Sequence, residues 1–343
     1  MKTLHLVLAV AATISFSAHA ATSLNLSTYT VTATYGLDRL NGTTGGISGL
    51  EGSAITYAKD RNSLFYVGDE GTGVVEISKT GATLGYSPFN WTGTGSTKND
   101  TEGLAYLGNG RLIVTEERLQ DAYSFNYLAG STVQLGNSFV SISNTAVGNN
   151  GIEGIAYDSR DGSFITIKQQ SPQNVLAGTL TFAASTGAPP SLSGDGSSPP
   201  GGGTSTMASL FNPISLNLTS LSDVTTLSGV DSLVGTFGAN NLLFLSLGSK
   251  KIVEADRLGN VLGSFDLSNV LPNNAIEGIT IDENGVIYLI AEQVQSGALL
   301  GTEQSQLIVL SPVPEASTYA MMLAGLGVVG FLARRKNKLH KSL

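Results

Sequence analysis

Glu-Gly, an apolar trio and a turn are written three times in this chain. The copies are NDTEGLAYLGNGRL at 99–112, NGIEGIAYDSRDGSF at 150–164 and NAIEGITIDENGVIYLI at 274–290. A motif that recurs along a chain restricts the fold to repeat architectures, in which small supersecondary units stack on their neighbours. The glutamates fall at positions 51, 102, 153 and 277, and the first two intervals are 51 residues each. Ser228-Gly229 is expected to stand in for Glu-Gly in a weaker unit between the third and the last.

Each unit has the same strand logic. A short apolar strand (Leu104 to Tyr106, Ile155 to Tyr157, Ile279 to Ile281) meets a polar turn such as Gly108-Asn109-Gly110 or Asp282-Glu283-Asn284-Gly285. Gly and Asn supply the positive φ that tight hairpins require. A second strand follows at 64–67, 111–115, 163–167 and 286–291, and often a third. Three or four strands in about 50 residues mark a β-propeller, where blades bury their faces against each other around an axis. Charged residues make up 13% of the chain, 42 residues are Gly and 41% are apolar. That mixture favours short strands and turns around a buried core. The expected fold is therefore all-β, a propeller of five blades over residues 21–312. The alternating STYTVTATYGL within residues 21–45 either closes the ring with the last unit or belongs to a sixth blade. A Pro/Gly/Ser-rich stretch, 176–222, reads as an exposed insertion loop.

The two ends read as addresses rather than fold. MKTLHLVLAVAATISFSAHA carries an early Lys, an apolar run too short for a membrane anchor and an A-x-A site. This pattern reads as a signal peptide, residues 1–20, with cleavage after Ala20. At the other end, Val313-Pro314-Glu315 precedes an apolar run, 319–333, and a basic cluster beginning at Arg334-Arg335. As a helix the run spans about 22 Å, short for a bilayer. The segment 313–343 resembles the PEP-CTERM sorting signal, with Ala316 where a second proline is usual. The resemblance implies export across the inner membrane of a Gram-negative bacterium. It also implies processing by signal peptidase and a membrane-embedded exosortase, with transient or permanent anchoring through the short helix. The destination would be the cell surface, outer envelope or extracellular matrix.

Between these ends, residues 21–314 hold 12 Lys or Arg against 25 Asp or Glu, a net charge of −13. Nucleic acid needs the opposite sign and is set aside. The three histidines, His5, His19 and His340, all lie in the end segments, and there is no Cys. The propeller segment therefore excludes a Ser-His-Asp triad, a Cys-His pair and His-ligated zinc. Carboxylates, hydroxyls, Lys, Arg or a hard cation must carry any chemistry.

The units together are similar to the SdiA-regulated family, over about residues 45–312. The resemblance rests on Ser53-Ala54-Ile55-Thr56-Tyr57 with Val67-Gly68-Asp69-Glu70, and on Glu102-Gly103-Leu104-Ala105-Tyr106 with Thr115-Glu116-Glu117-Arg118. Ile152-Glu153-Gly154-Ile155-Ala156-Tyr157 with Lys168, Leu227-Ser228-Gly229, and Ile276-Glu277-Gly278-Ile279 with Glu292 complete it. It implies a periplasmic or surface propeller more than any activity. Unit three departs from the family pattern by carrying Lys168-Gln169-Gln170 where Lys-Glu is usual.

In a propeller, Glu102, Glu153 and Glu277 are expected near the axis at one end. Asp69, Glu70, Glu117 and Glu292, at the ends of second strands, would project to the same mouth or the opposite one. Gathered carboxylates repel unless a cation binds or some take up protons. Calcium suits them, with Glu102, Glu153 and Glu277 as its ligands. The same glutamates could instead accept backbone N–H groups and fasten blades. Two functions stay open. One is a non-catalytic propeller that binds a polysaccharide, protein or small molecule. The other is a calcium-dependent phosphoesterase resembling phytase-like or esterase-like propellers, in which Lys168, Arg118 or Arg111 would steady phosphate. The scarcity of basic residues favours binding over hydrolysis.

Overall fold

A computed structural model describes residues 22–40, 47–49, 51–69, 71–143, 146–170, 172–191, 194–294, 304–313 and 325–327. Five antiparallel sheets form five blades. Blade 1 runs outward from the axis as Gly52–Ala58, Ser63–Gly68, Gly73–Ile77 and Thr83–Asn90. Val133–Gln134 adds a short parallel edge to it. Blade 2 is Thr101–Gly108, Arg111–Glu116, Asp121–Asn126 and Phe139–Ser141. Blade 3 is Ile152–Asp158, Ser163–Lys168, Asn174–Gly178 and Ala208–Phe211. Blade 4 is Leu221–Thr226, Leu242–Ser246, Lys251–Ala255 and Val261–Asp266. Blade 5 is Asn274–Ile281, Ile287–Val294 and Gln306–Pro312, completed on the outside by Tyr29–Gly36.

That last pairing decides between the two sequence alternatives. Tyr29–Gly36 joins the final blade, from Tyr29 opposite Pro312 to Gly36 opposite Gln306, so early and late parts of the chain close one ring. The first strands of blades 1, 2, 3, 4 and 5 touch each other in cyclic order around the axis.

Burial follows position. Gly73–Ile77 and Leu242–Ser246 are buried at every residue, as interior strands covered on both faces must be. The outer strands Tyr29–Gly36 and Val261–Asp266 alternate, showing one face to water. The core lies between blades. Phe65 and Val67 of blade 1 pack on Leu112, Val114 and Tyr123 of blade 2. Ile290 of blade 5 packs on Ile55 and Tyr66 of blade 1. The turns carry the backbone the sequence asked for, with positive φ at Asn109, Gly110, Gly162 and Gly285.

The insertion separates the third and fourth strands of blade 3. It is not a free loop. Thr179 and Thr181 bond Thr206 and Thr204 through their hydroxyls, Gly202 sits against the Phe139 ring, and Ser198 donates to Asp121 at 2.9 Å. The segment lies along blade 2. Of the sorting segment, Val313 and residues 325–327 are described, the latter in a helical turn. Ala20, Pro314, Glu315 and the rest of the expected helix 319–333 lie outside the described residues, as does Glu70. Among the described residues, no helix is long and apolar enough to cross a membrane.

Candidate functional site

Every first strand slips register against the second by one residue near its start. The slip falls at Ser53, Glu102, Glu153, Ser222 and Glu277. A bulged residue loses its ladder partner and swings out of the sheet. Glu102, Glu153 and Glu277 occupy this place in blades 2, 3 and 5, and each lies within electrostatic reach of another. All three stand at the same end of the channel.

Two parts of the repeat alignment are corrected here. The counterpart of Glu-Gly in blade 1 is Ser53-Ala54, not Glu51-Gly52. In blade 4 it is Ser222-Asp223, not Ser228-Gly229, which follows the strand. Both true counterparts lack Glu, so a search for Glu-Gly slid to the nearest similar pair.

The glycine beside the bulge has a steric cause. A Cβ on Gly103 would come within 3.0 Å of the Ile155 nitrogen, one on Gly154 within 2.8 Å of Asp223 Cα, and one on Gly278 within 2.9 Å of Ala54 Cα. Each glycine lets the next blade close against its own. Blade 4 carries Asp223 there, and its carboxylate fills the gap. It accepts the N–H groups of Val224 and, across to blade 5, of Ile279, both at 2.8 Å. Asp223 thus fastens blade 4 to blade 5, a role the sequence reading passed over.

The acids ending the second strands share the same end of the channel. The N–H groups of Asp69, Glu117, Gln169 and Leu247 donate to Glu51, Asp100, Gly151 and Ser220, which lie two residues before the bulges. Glu292 holds the matching place in blade 5, just past the pairing of Ala291 with Ile276. Carboxylate oxygens of Asp69, Asp100 and Glu102 all lie within 4.8 Å of one another. Asp100 is buried and was missed in the sequence, although it repeats the place of Glu51 in blade 1.

Burial and mutual repulsion dominate the electrostatics. The Glu102 carboxyl is held well above its ordinary value by burial, then by Glu153, Glu277, Asp69 and Asp100. Glu153 is raised by burial and then by Glu117, and Glu277 by burial and then by Glu292. Asp100 is pushed up to about 9 by burial and Asp69, which together outweigh the opposing pull of Arg118. Arg118 Nε lies 2.5 Å from Asp100 Oδ2, and Nη1 lies 3.5 Å from Asp195 of the insertion. The guanidinium therefore bridges the acidic end to the segment lying along blade 2. Glu117 Oε1 accepts the Gly151 N–H at 3.1 Å, fastening blade 2 to blade 3.

Of the three cations considered for phosphate, Arg118 and Lys168 stand at the acidic end and Arg111 does not. Lys168 ends the second strand of blade 3 opposite Ile152, at the acidic end. Arg111 begins the second strand of blade 2 at the far end and donates to Ser124 Oγ at 3.0 Å.

A sequence model of the SdiA-regulated family matches residues 33–294, which reach from the closing strand into blade 5. The chain belongs to the SdiA-regulated family. Residues 312–336 match the PEP-CTERM protein-sorting motif. That motif marks a Gram-negative protein exported to the surface and processed by exosortase. Solved structures with a similar course of chain include a Myxococcus xanthus glutaminyl cyclase, at 11% identity and a TM-score of 0.46, covering 82% of this chain and 95% of that one. A luciferin-regenerating enzyme matches at 10% identity and a TM-score of 0.44, covering 81% and 95%. A streptogramin B lyase matches at 10% and 0.40, covering 83% and 98%.

Proposed function

We propose that this exported SdiA-regulated propeller is a binding protein whose acidic axial end holds a calcium ion. The observation that carries this reading is the approach of Asp69, Asp100 and Glu102, with their oxygens within 4.8 Å of each other. Burial already raises the cost of ionising such groups, and each neighbour adds to it. A hard divalent cation removes that repulsion and accepts six to eight oxygen ligands without His or Cys. Glu153 and Glu277 lie within electrostatic reach of Glu102, and their charge adds to the pull on such an ion. The ion would order the mouth and offer open coordination positions to an oxygen-rich ligand. A surface polysaccharide fits that chemistry and the sorting signal.

The test is calorimetry of calcium binding to the purified protein, paired with melting curves in calcium and in chelator. A saturable heat and a melting temperature that rises with calcium are expected. Identical curves in both conditions would sink the reading. A phosphomonoester screen completes the test: chelator-sensitive turnover would move the assignment to the phosphoesterase class.

A further inference from the structure

The other end of the channel holds a cavity of about 430 Å³, and none of the acids just described lines it. Its inner wall takes one aliphatic side chain from each first strand: Ile55, Leu104, Ile155, Val224 and Ile279. These lie two residues past the bulges. Tyr57, Tyr106 and Tyr157 line it two residues further on. The volume suits a small molecule, and a mostly apolar wall with a few convergent polar atoms is the usual form of such sites.

The polar atoms are specific. Tyr57 OH and Glu283 Oε2 are both buried and have no hydrogen-bond partner. Both residues line the cavity and face each other: burial first, and then the approach of the Glu283 carboxylate to the hydroxyl, raise the Tyr57 pKa. The approach falls short of a closed hydrogen bond, so both atoms keep capacity for a shared donor. A buried carboxylate oxygen without a donor is costly, so its natural complement is a donor carrying positive charge. The protein's nearby ammonium groups are already engaged. Lys59, on the wall, pairs with Asp231 at 3.3 Å. Lys79, 4.5 Å from the centre of the Tyr57 ring, pairs with Asp282 at 2.9 Å. Asp60, also on the wall, adds a second negative charge and accepts the Asn109 N–H at 3.0 Å.

We propose that this cavity binds a small organic cation, an apolar body carrying a primary ammonium group. The body lies against the five aliphatic side chains. The ammonium group donates to Glu283 Oε2 and Tyr57 OH, with tyrosine faces adding cation–π attraction. Calcium at the far end plays no part in this site.

The test is calorimetry of the full chain with 2-phenylethylamine, against 2-phenylethanol as its neutral counterpart of the same shape. The amine is expected to bind at least roughly tenfold more tightly, the scale of one charge-assisted hydrogen bond. Glu283→Gln should bring the amine down to the affinity of the alcohol while leaving the melting curve in place. Tyr57→Phe, as a second variant, should weaken the amine by a smaller factor. No heat from the amine up to millimolar concentration overturns the proposal. So does equal affinity for the two compounds, or amine binding unchanged in both variants.

Discussion

The same five strands build both ends of the channel, and the ends differ in kind. At the end where these strands begin, carboxylates from blades 1, 2, 3 and 5 crowd together. At the end where they finish, aliphatic and tyrosine side chains enclose a cavity. One irregularity divides the two. Before and at the bulge, a side chain is free of the blade faces and turns to the axis. Past the bulge, regular alternation resumes and every second residue must suit the previous blade, so apolar residues return. Blade 4 shows what the bulge permits but does not demand. It carries Ser220, Ser222 and Leu247 where other blades carry acids, and the acidic end is lopsided as a result.

The comparison depends first on the placing of the bulge. Gly154→Ala should test it most severely. The new Cβ would lie 2.5 Å from Asp223 Oδ1 and 2.8 Å from its Cα, backbone that cannot move without parting blades 3 and 4. A loss of about 2–3 kcal/mol in urea unfolding is expected. Gly229→Ala, with nothing within 4 Å of the new atom, should leave stability nearly unchanged. Equal effects of the two would show that the strand assignment in blade 4 is wrong.

Asp223→Ala comes next. It removes the acceptor for the buried N–H groups of Val224 and Ile279, costing about 2 kcal/mol. Asp223→Asn keeps one acceptor oxygen and should recover part of the loss. No loss in the Ala variant would mean that the contact between blades 4 and 5 does not rest on this side chain.

How much of this was open to sequence reading follows from what repeats. The ring, the blades and the convergence of Glu102, Glu153 and Glu277 were legible because a strand period and a steric glycine both leave marks on the sequence. The closing strand Tyr29–Gly36 was legible as a strand, but its partner was not, because pairing across the whole chain has no local signature. Asp100 and Asp223 were missed for a common reason. Each matters through a backbone place, two before or one after the bulge, and the bulge itself is invisible until a register is seen. The insertion was legible as an exposed stretch, but its hydrogen bonding was not. Its Ser and Thr hydroxyls bond to one another and to Asp121, so polarity there means hydrogen bonding rather than freedom.

The acidic end should respond to pH and calcium, and the tyrosine end should not. Asp100 titrates near its ordinary 3.8 when unfolded and near 9 when folded. The folded state therefore holds that proton more tightly. Its stabilising contribution is complete below about pH 4 and is lost as pH rises toward 9. Melting temperature in chelator should fall between pH 5 and pH 8, and calcium, which binds the ionised form, should restore it most at the higher pH. Glu102→Gln should flatten this dependence and abolish the calcium response. A pH-independent melting temperature in chelator would contradict the burial and crowding on which the acidic end is described.

The smallest effect is expected at the open mouth. Lys59 and Asp231 make an ion pair at 3.3 Å with both side chains more than half exposed. Water and salt screen such a pair, so Asp231→Asn should change stability by less than about 0.5 kcal/mol. Arg118, by contrast, lies half-buried against buried Asp100, where screening is weaker. Its replacement by Gln should cost clearly more and should do so at high salt as well. If the two substitutions cost the same in 0.5 M salt, the ends do not differ in solvent access, and the distinction between a crowded acidic centre and an open ligand cavity fails.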